Sequence, residues 1–372
     1  MSSELAARLG VRPGVLAATP YLPDWLGLDR AEFLRLDRNE STQPVSGKLG
    51  AALSEYVSTR GVHSYPEAER LTAALADYCG VPGSFVVATN GSDQAIDLCL
   101  RAFLGPGRRM VVATPEFAVF SHVAGLLGAE VHGVPFDDDL GFPYRRFSAA
   151  AATRPDLIVV INPNNPTGTP VDVDFIERLA TSHPDTPVLV DEAYYEFTGA
   201  TAVDLVGSHP NVVVLRTFSK AFAMAGLRLG YVVAHSDVAF EITKLRNPFD
   251  VNELAVVAAA TQLEDMEPVR EHVASIMDKA KPMTLDFFAG HGVPVIAGAA
   301  NFMLVRPDDT TQAIDSLRAA GILVRSMSAP SLAGMFRMSV GTPDEMRTFM
   351  DAYATHVVGG VTSTQQHMGE ER

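Results

Sequence analysis

Lys220 lies in the stretch TFSKAFAMAGLRLGY (217–231), among small and apolar residues, and is one of only five lysines in the chain. A lysine in an apolar pocket has a lowered pKa, becomes nucleophilic and condenses with a carbonyl. Arg228 follows, and the hydroxyls of Thr217 and Ser219 come just before. A guanidinium and two hydroxyls near one amine suit a phosphate. A solvated loop lysine is the ordinary alternative, and the flanking AFAMAGL speaks against it.

Three other stretches concentrate polar groups. In VDEAYYEF (190–197), Asp191 ends an apolar run. A carboxylate there needs a partner or a bound cation, and a protonated ring nitrogen would serve. Asp191 and Glu192 could instead be metal ligands. No histidine lies near with ligand spacing, and consecutive strand residues point to opposite faces. NPNNPTG (162–168) packs prolines and a glycine around Asn165. It reads either as an ordinary turn or as a rigid mount for an aimed amide donor. TNGSDQAIDL (89–98) reads as a strand–turn–helix junction. The amides of Gly91, Ser92 and Asp93 would face an anion at a helix N-terminus, unless Ser92 or Asp93 simply caps that helix.

One ligand explains all four stretches: a molecule with a phosphate, a pyridine nitrogen, a ring hydroxyl and an aldehyde, which is pyridoxal 5'-phosphate. The helix N-terminus would take the phosphate, Asp191 the ring nitrogen, Asn165 the ring oxygen and Lys220 the aldehyde carbon.

The elements that must position these residues are legible as short β-branched runs. SFVVAT (84–89), RMVVATP (109–115), DLIVVINP (156–163), PVLVDEAYYEF (187–197), NVVVLRTFS (211–219) and LGYVVAH (229–235) each read as a strand. Continuous apolar strands separated by loops and helices predict an α/β fold with a mostly parallel sheet covered on both faces. Ligands bind beyond the carboxyl ends of such strands, where the polar stretches fall. Residues 252–290 read as largely helical. VPVIAG, ANFMLVRP, TTQAIDSLRAAG, ILVRS and FRMSVGT then read as a smaller α+β domain. The expected division is 1–40 as an N-terminal arm and part of the small domain, 41–255 as the large domain, 256–360 as the small domain and 361–372 as a disordered tail.

Whole-chain properties agree. At 372 residues the chain exceeds one ordinary core, and 47% hydrophobic residues supply ample interior. A net charge of -15 opposes binding to nucleic acid or to anionic membranes. Cys79 and Cys99 show no metal-ligand pairing and read as reduced core residues. The first residues lack the apolar core of a signal peptide, and no run approaches the roughly 20 apolar residues of a membrane span. The expected location is the cytoplasm.

NPNNPTG, VDEAYYEF, TFSKAFAMAGLRLGY and FRMSVGT, in this order, resemble the class I/II pyridoxal-phosphate aminotransferases of fold type I, in particular the histidinol-phosphate aminotransferase branch. The likeness runs from about His63 to Glu345. It implies that Lys220 binds the cofactor covalently, that Asp191 partners the pyridine nitrogen, and that Asn165 and Tyr194 donate to the ring oxygen. Gly91, Ser92, Asp93, Thr217, Ser219 and Arg228 match phosphate contacts, and Phe117 matches the aromatic ring that stacks on the cofactor. Tyr65 matches a tyrosine reaching the phosphate from a neighbouring subunit, which implies a homodimer. Arg337 matches the substrate-carboxylate arginine and Arg325 a second arginine at the substrate's anionic end; Arg325 also reads as a surface ion pair. Asn39 and Tyr21 match positions at the substrate. Near them LDRNESTQPVSG (36–47) departs from the family's Asn-Glu-Asn-Pro pattern, keeping Asn39 and Glu40.

The expected reaction is ping-pong transamination with glutamate as donor and Lys220, Asp191 and Tyr194 as the catalytic set, with no metal. Rival expectations are another fold-type I reaction (decarboxylation, elimination or cyclisation), an aromatic amino acid aminotransferase, or a non-catalytic regulator. The regulator would need an added domain of about 50 residues or more, and fewer than about 40 are expected before the fold.

Overall fold

The computed structural model describes residues 2–20 and 27–359. Tyr21 and the expected tail at 361–372 lie outside the described residues.

Seven strands form the main sheet: β1 (Val86–Thr89), β2 (Arg109–Thr114), β3 (Glu130–Pro135), β4 (Leu157–Ile161), β5 (Val188–Asp191), β6 (Val212–Thr217) and β7 (Gly230–Ala234). Their spatial order is β1-β7-β6-β5-β4-β2-β3. β3, β2, β4, β5 and β6 are parallel, while β7 runs antiparallel between β6 and β1. β1, β4, β5, β6 and β7 are buried along their whole length, as continuous β-branched runs between two covering layers should be.

Two readings of this sheet need correction. The run 187–197 is not one strand: β5 stops at Asp191, and Tyr195–Thr198 is a short helix. The turn forms because the Tyr195 N–H donates to the Glu192 carbonyl, and left-handed Gly199 (φ 70°) ends the helix. β3 escaped notice because it is largely exposed, and EVHGVP lacks the apolar run of its neighbours.

The chain gathers into two units. The first is built on Val45–Asn165 and Thr169–Met266; the second on Pro166–Gly168 and residues 267–359. Of the N-terminal stretch, residues 2–20 go with the first and 27–44 with the second. This differs from the expected boundaries at 41 and 255. The helix Glu253–Leu263 buries Ala255 to Ala259 against the helices Gly47–Thr59 and Glu69–Cys79, so the first unit keeps it. Residues 2–20 are likewise held by the first unit. The helix Pro13–Ala17 lies on Val119–Leu127 so closely that a Cβ at Gly14 would stand 2.5 Å from the Gly125 carbonyl oxygen.

In the second unit, β8 (Val295–Ile296), β9 (Phe302–Val305), β10 (Arg325–Ser326) and β11 (Phe336–Ser339) form an antiparallel sheet, ordered β10-β11-β9-β8. Leu34–Arg35 pairs in parallel with Ile322–Leu323. GILVRS therefore serves two sheets.

Candidate active site

At the end of β1 the chain turns through Asn90 into helix α1 (Gly91–Phe103). Asn90 makes no side-chain cap to this helix, so the amides of Gly91, Ser92 and Asp93 are not sealed by a capping side chain in the usual way. The turn is tight. Gly91 has φ 78°, and a Cβ there would meet Arg228 Nη2 at 2.6 Å. A Cβ at Gly230, in β7, would stand 2.6 Å from the Ser92 nitrogen. Only glycine at both positions lets Arg228 and the strand come this close to the helix start.

Thr217 ends β6, and its Oγ1 donates to Ser219 Oγ at 3.0 Å while accepting from the Ser219 N–H at 3.2 Å. Arg228, in left-handed backbone at φ 54°, reaches Ser219 Oγ at 3.5 Å and pairs with Asp93 at 2.9 Å. Both members of that pair are well exposed, so it contributes at most about 1 kcal/mol and Arg228 can turn to an incoming anion at small cost. Asp93 thus meets Arg228 through its carboxylate instead of capping the helix.

Asp191 is 4% exposed at the end of β5, and its Oδ1 accepts the Ala193 N–H at 3.0 Å. Burial pushes its carboxyl up to about 7; the nearby Asp93 and Glu192 charges push it the same way, against the Ala193 bond and Lys220. Such a group suits a buried cation as partner. Asn165 Nδ2 donates to the Tyr194 hydroxyl at 3.3 Å, so these two donors converge although they stand 29 residues apart. Lys220 Nζ lies 5.9 Å from the Tyr194 ring centre. Buried Phe218, Ala221 and Phe222 flank the lysine. Phe117, in the loop after β2, packs partly buried against the core between the sheet and α1. Tyr65 is 75% exposed and stacks on Phe249 at 4.2 Å.

All of these residues belong to the first unit, whereas Arg325, Arg337 and Asn39 belong to the second. There Arg337 on β11 is directly paired across the sheet with Arg325 on β10. Arg337 is buried and its Nη2 donates to the Asp37 carbonyl at 3.1 Å. Asn39 is buried with φ 55°, its N–H donating to Ser339 Oγ at 2.8 Å.

Sequence reasoning missed several residues that brace the site. Asn162 closes NPNNPTG by bonding both the N–H and the carbonyl of Val171, and Asn164 donates to the Pro115 carbonyl. Glu192, read above as an alternative metal ligand, is instead paired with Arg216 at 2.9 Å. The arginine inside the apolar run NVVVLRT was the available signal for that pair.

The chain matches the model of the family "Aminotransferase class I and II" over residues 31–352. It is 38% identical to a histidinol-phosphate aminotransferase of Roseiflexus castenholzii, over 92% of this chain and 96% of that protein. Its fold is similar to that of the histidinol-phosphate aminotransferase from Sinorhizobium meliloti, solved in complex with pyridoxal-5'-phosphate, with a TM-score of 0.85, 23% identity, and coverage of 93% and 97%. The L-threonine-O-3-phosphate decarboxylase of Porphyromonas gingivalis is also similar, with a TM-score of 0.73, 26% identity, and coverage of 87% and 98%. The fold is that of the fold-type I pyridoxal-phosphate enzymes. The chain belongs to the class I and II aminotransferase family, and its activity is pyridoxal-phosphate-dependent transamination.

Among the described residues, no helix is long and apolar enough to cross a membrane.

Proposed function

We propose that this aminotransferase exchanges an amino group between glutamate and an oxo phosphate of the histidinol-phosphate type. The cross-strand pair Arg325–Arg337 carries this reading. Two arginines at paired positions on neighbouring strands suit a substrate with two anionic charges, which glutamate offers as carboxylates and the phosphate ester offers on one group. The name of the 38% identical relative supports the same substrate.

The residues of the first unit fit the cofactor. The free amides of Gly91, Ser92 and Asp93, with Thr217, Ser219 and Arg228, would hold its phosphate. The Asp191 carboxylate would keep a proton on the ring nitrogen, and Asn165 and Tyr194 would donate to the ring oxygen. Phe117 would cover the ring, and Lys220 would hold the aldehyde carbon. Bound pyridoxal phosphate supplies an electron sink for charge developing at the substrate Cα. Lys220 Nζ would serve as general base for the substrate Cα proton and then as the general acid that delivers that proton to a different carbon, which separates transamination from simple exchange at Cα. Arg337 would bind the donor's carboxylate, Arg325 the second anionic group, and Asn39 and Tyr21 would line the substrate. We further propose a cytoplasmic homodimer in which Tyr65 serves the neighbouring copy's phosphate site; its exposure supports this.

A spectral screen of amino donors against the purified enzyme tests the substrate. Conversion of the cofactor from its aldehyde to its amine form by glutamate and by histidinol phosphate is expected. Release of CO2 from an amino acid without an acceptor would favour decarboxylation, the activity named for the Porphyromonas gingivalis neighbour. Lys220→Ala must abolish turnover; normal rates in that variant would overturn the assignment.

A further inference from the structure

Asp191 and Glu192 are consecutive, and strand alternation sends their side chains to opposite faces of the sheet. Asp191 shares the face of Leu189, Leu215 and Val232, against which α1 packs. The ladder runs one residue further, with the Glu192 N–H donating to the Leu215 carbonyl at 2.8 Å. On the reverse face Glu192 stands beside Arg216 of β6, which is directly paired with Tyr231 of β7. A buried polar row thus lies behind the strand ends that carry the cofactor residues.

We propose that Glu192, Arg216 and Thr201 are positioning residues: a clamp on the reverse face of the sheet that holds the loop bearing Tyr194 against the strand leading to Lys220. The proposal rests on the reading of Tyr194 and Lys220 as cofactor residues.

Four contacts build the clamp. Glu192 Oε1 accepts the Ala202 N–H at 2.5 Å, and Oε2 accepts Thr201 Oγ1 at 2.9 Å, so one carboxylate ties together both ends of the segment containing Tyr194. Arg216 Nε donates to the same Oε2 at 2.9 Å, and Arg216 Nη2 donates to Thr201 Oγ1 at 2.7 Å. The guanidinium carbon stands 3.6 Å from the centre of the Tyr195 ring. This fixes the residue next to Tyr194 on the reverse side while Tyr194 meets Asn165. Glu192 is fully buried and Arg216 nearly so, with side-chain exposures of 0% and 3%. A buried ion pair is a poor device for stability, since apolar residues of equal volume often do as well. Its distinctive product is fixed geometry, and here it fixes two loops that must hold one cofactor.

Thr201→Val in the holoenzyme tests this, because it keeps the branched shape and deletes the hydroxyl shared by Glu192 and Arg216. The expected result is a kcat reduced roughly tenfold to a hundredfold, as for misplaced reacting groups. KM for the amino donor should stay within about twofold, and the visible absorbance of the bound cofactor at fixed pH should be altered. Thr201→Ser should restore both rate and spectrum. Glu192→Gln, which keeps the shape and an acceptor oxygen, should show the same pattern as Thr201→Val. Wild-type kcat and spectrum in a folded Thr201→Val or Glu192→Gln holoenzyme, with only the thermal midpoint lowered, would overturn the positioning role. Full activity of Lys220→Ala would instead overturn the underlying cofactor assignment, so the two failures are distinguishable.

Discussion

Arg325 and Arg337 are directly paired on adjacent antiparallel strands, β10 and β11. Like charges at paired positions repel, and an anionic ligand bound there, as proposed, would offset that repulsion. Each charge-assisted hydrogen bond lost costs about 1.5–3 kcal/mol. Arg337→Gln should therefore raise KM for glutamate roughly tenfold to a hundredfold. Arg325→Gln should weaken the phosphorylated substrate more than an unphosphorylated amino acid. Steady-state kinetics with both substrate types check this, and equal effects on the two would count against Arg325 as the phosphate-side arginine.

Asp191 sets activity against stability. Its folded carboxyl is raised to about 7, above its usual value of 3.8. Between those values the folded cofactor-free protein holds a proton that the unfolded chain has released, so stability falls as pH rises through this window. Asp191→Asn carries no such penalty. Without cofactor its thermal midpoint at pH 8 should exceed that of the wild type, by roughly 2–4 kcal/mol in stability, and the gap should close towards pH 4. Transamination should meanwhile fall about a hundredfold or more, because the ring nitrogen would lose the charged partner proposed for it. Calorimetry across pH and a rate assay read the two effects separately.

Lys281 makes the opposite case in the second unit. It is 5% exposed and donates to the carbonyls of Gly298 and Ala300 at 2.5 and 2.7 Å. Burial lowers its pKa from 10.5 to about 8. Between these values the unfolded chain binds the extra proton, so stability rises with pH. The wild type should gain on Lys281→Met between about pH 8 and pH 10. A pH-independent difference in thermal midpoint would refute this.

The loop that Lys281 braces lies against the end of NPNNPTG. The Ala299 N–H donates to the Gly168 carbonyl at 2.7 Å, and a Cβ on Gly298 would lie 2.0 Å from that oxygen. Backbone cannot yield as a side-chain tip can. Gly298→Ala should destabilise the protein by about 1–3 kcal/mol, the range of overpacked sites, and should lower the thermal midpoint. Gly207→Ala, at an open position, is the control.

Much of this protein was legible along the chain. Buried parallel strands need no polar face, so β1, β4, β5 and β6 stood out as β-branched runs, each followed by its polar loop. The exposed edge strand β3 carried no such signal. The proposed chemistry was equally local in Lys220, Asp191 and Asn165, because each had an apolar or proline-bound setting that singled it out. The family motifs then supplied an ordered ligand for them.

The sequence by itself determined which side chains exist at the strand ends and what a cofactor could ask of them, since strand alternation and glycine backbone freedom are short-range properties. Tertiary structure alone decided which of them meet. Asn165 meets Tyr194, Asp93 turns to Arg228, and Arg325 stands opposite Arg337 because strand order and register bring distant segments side by side. The same registry placed Glu192 beside Arg216, turning two charges that local spacing left unexplained into one buried pair behind the site.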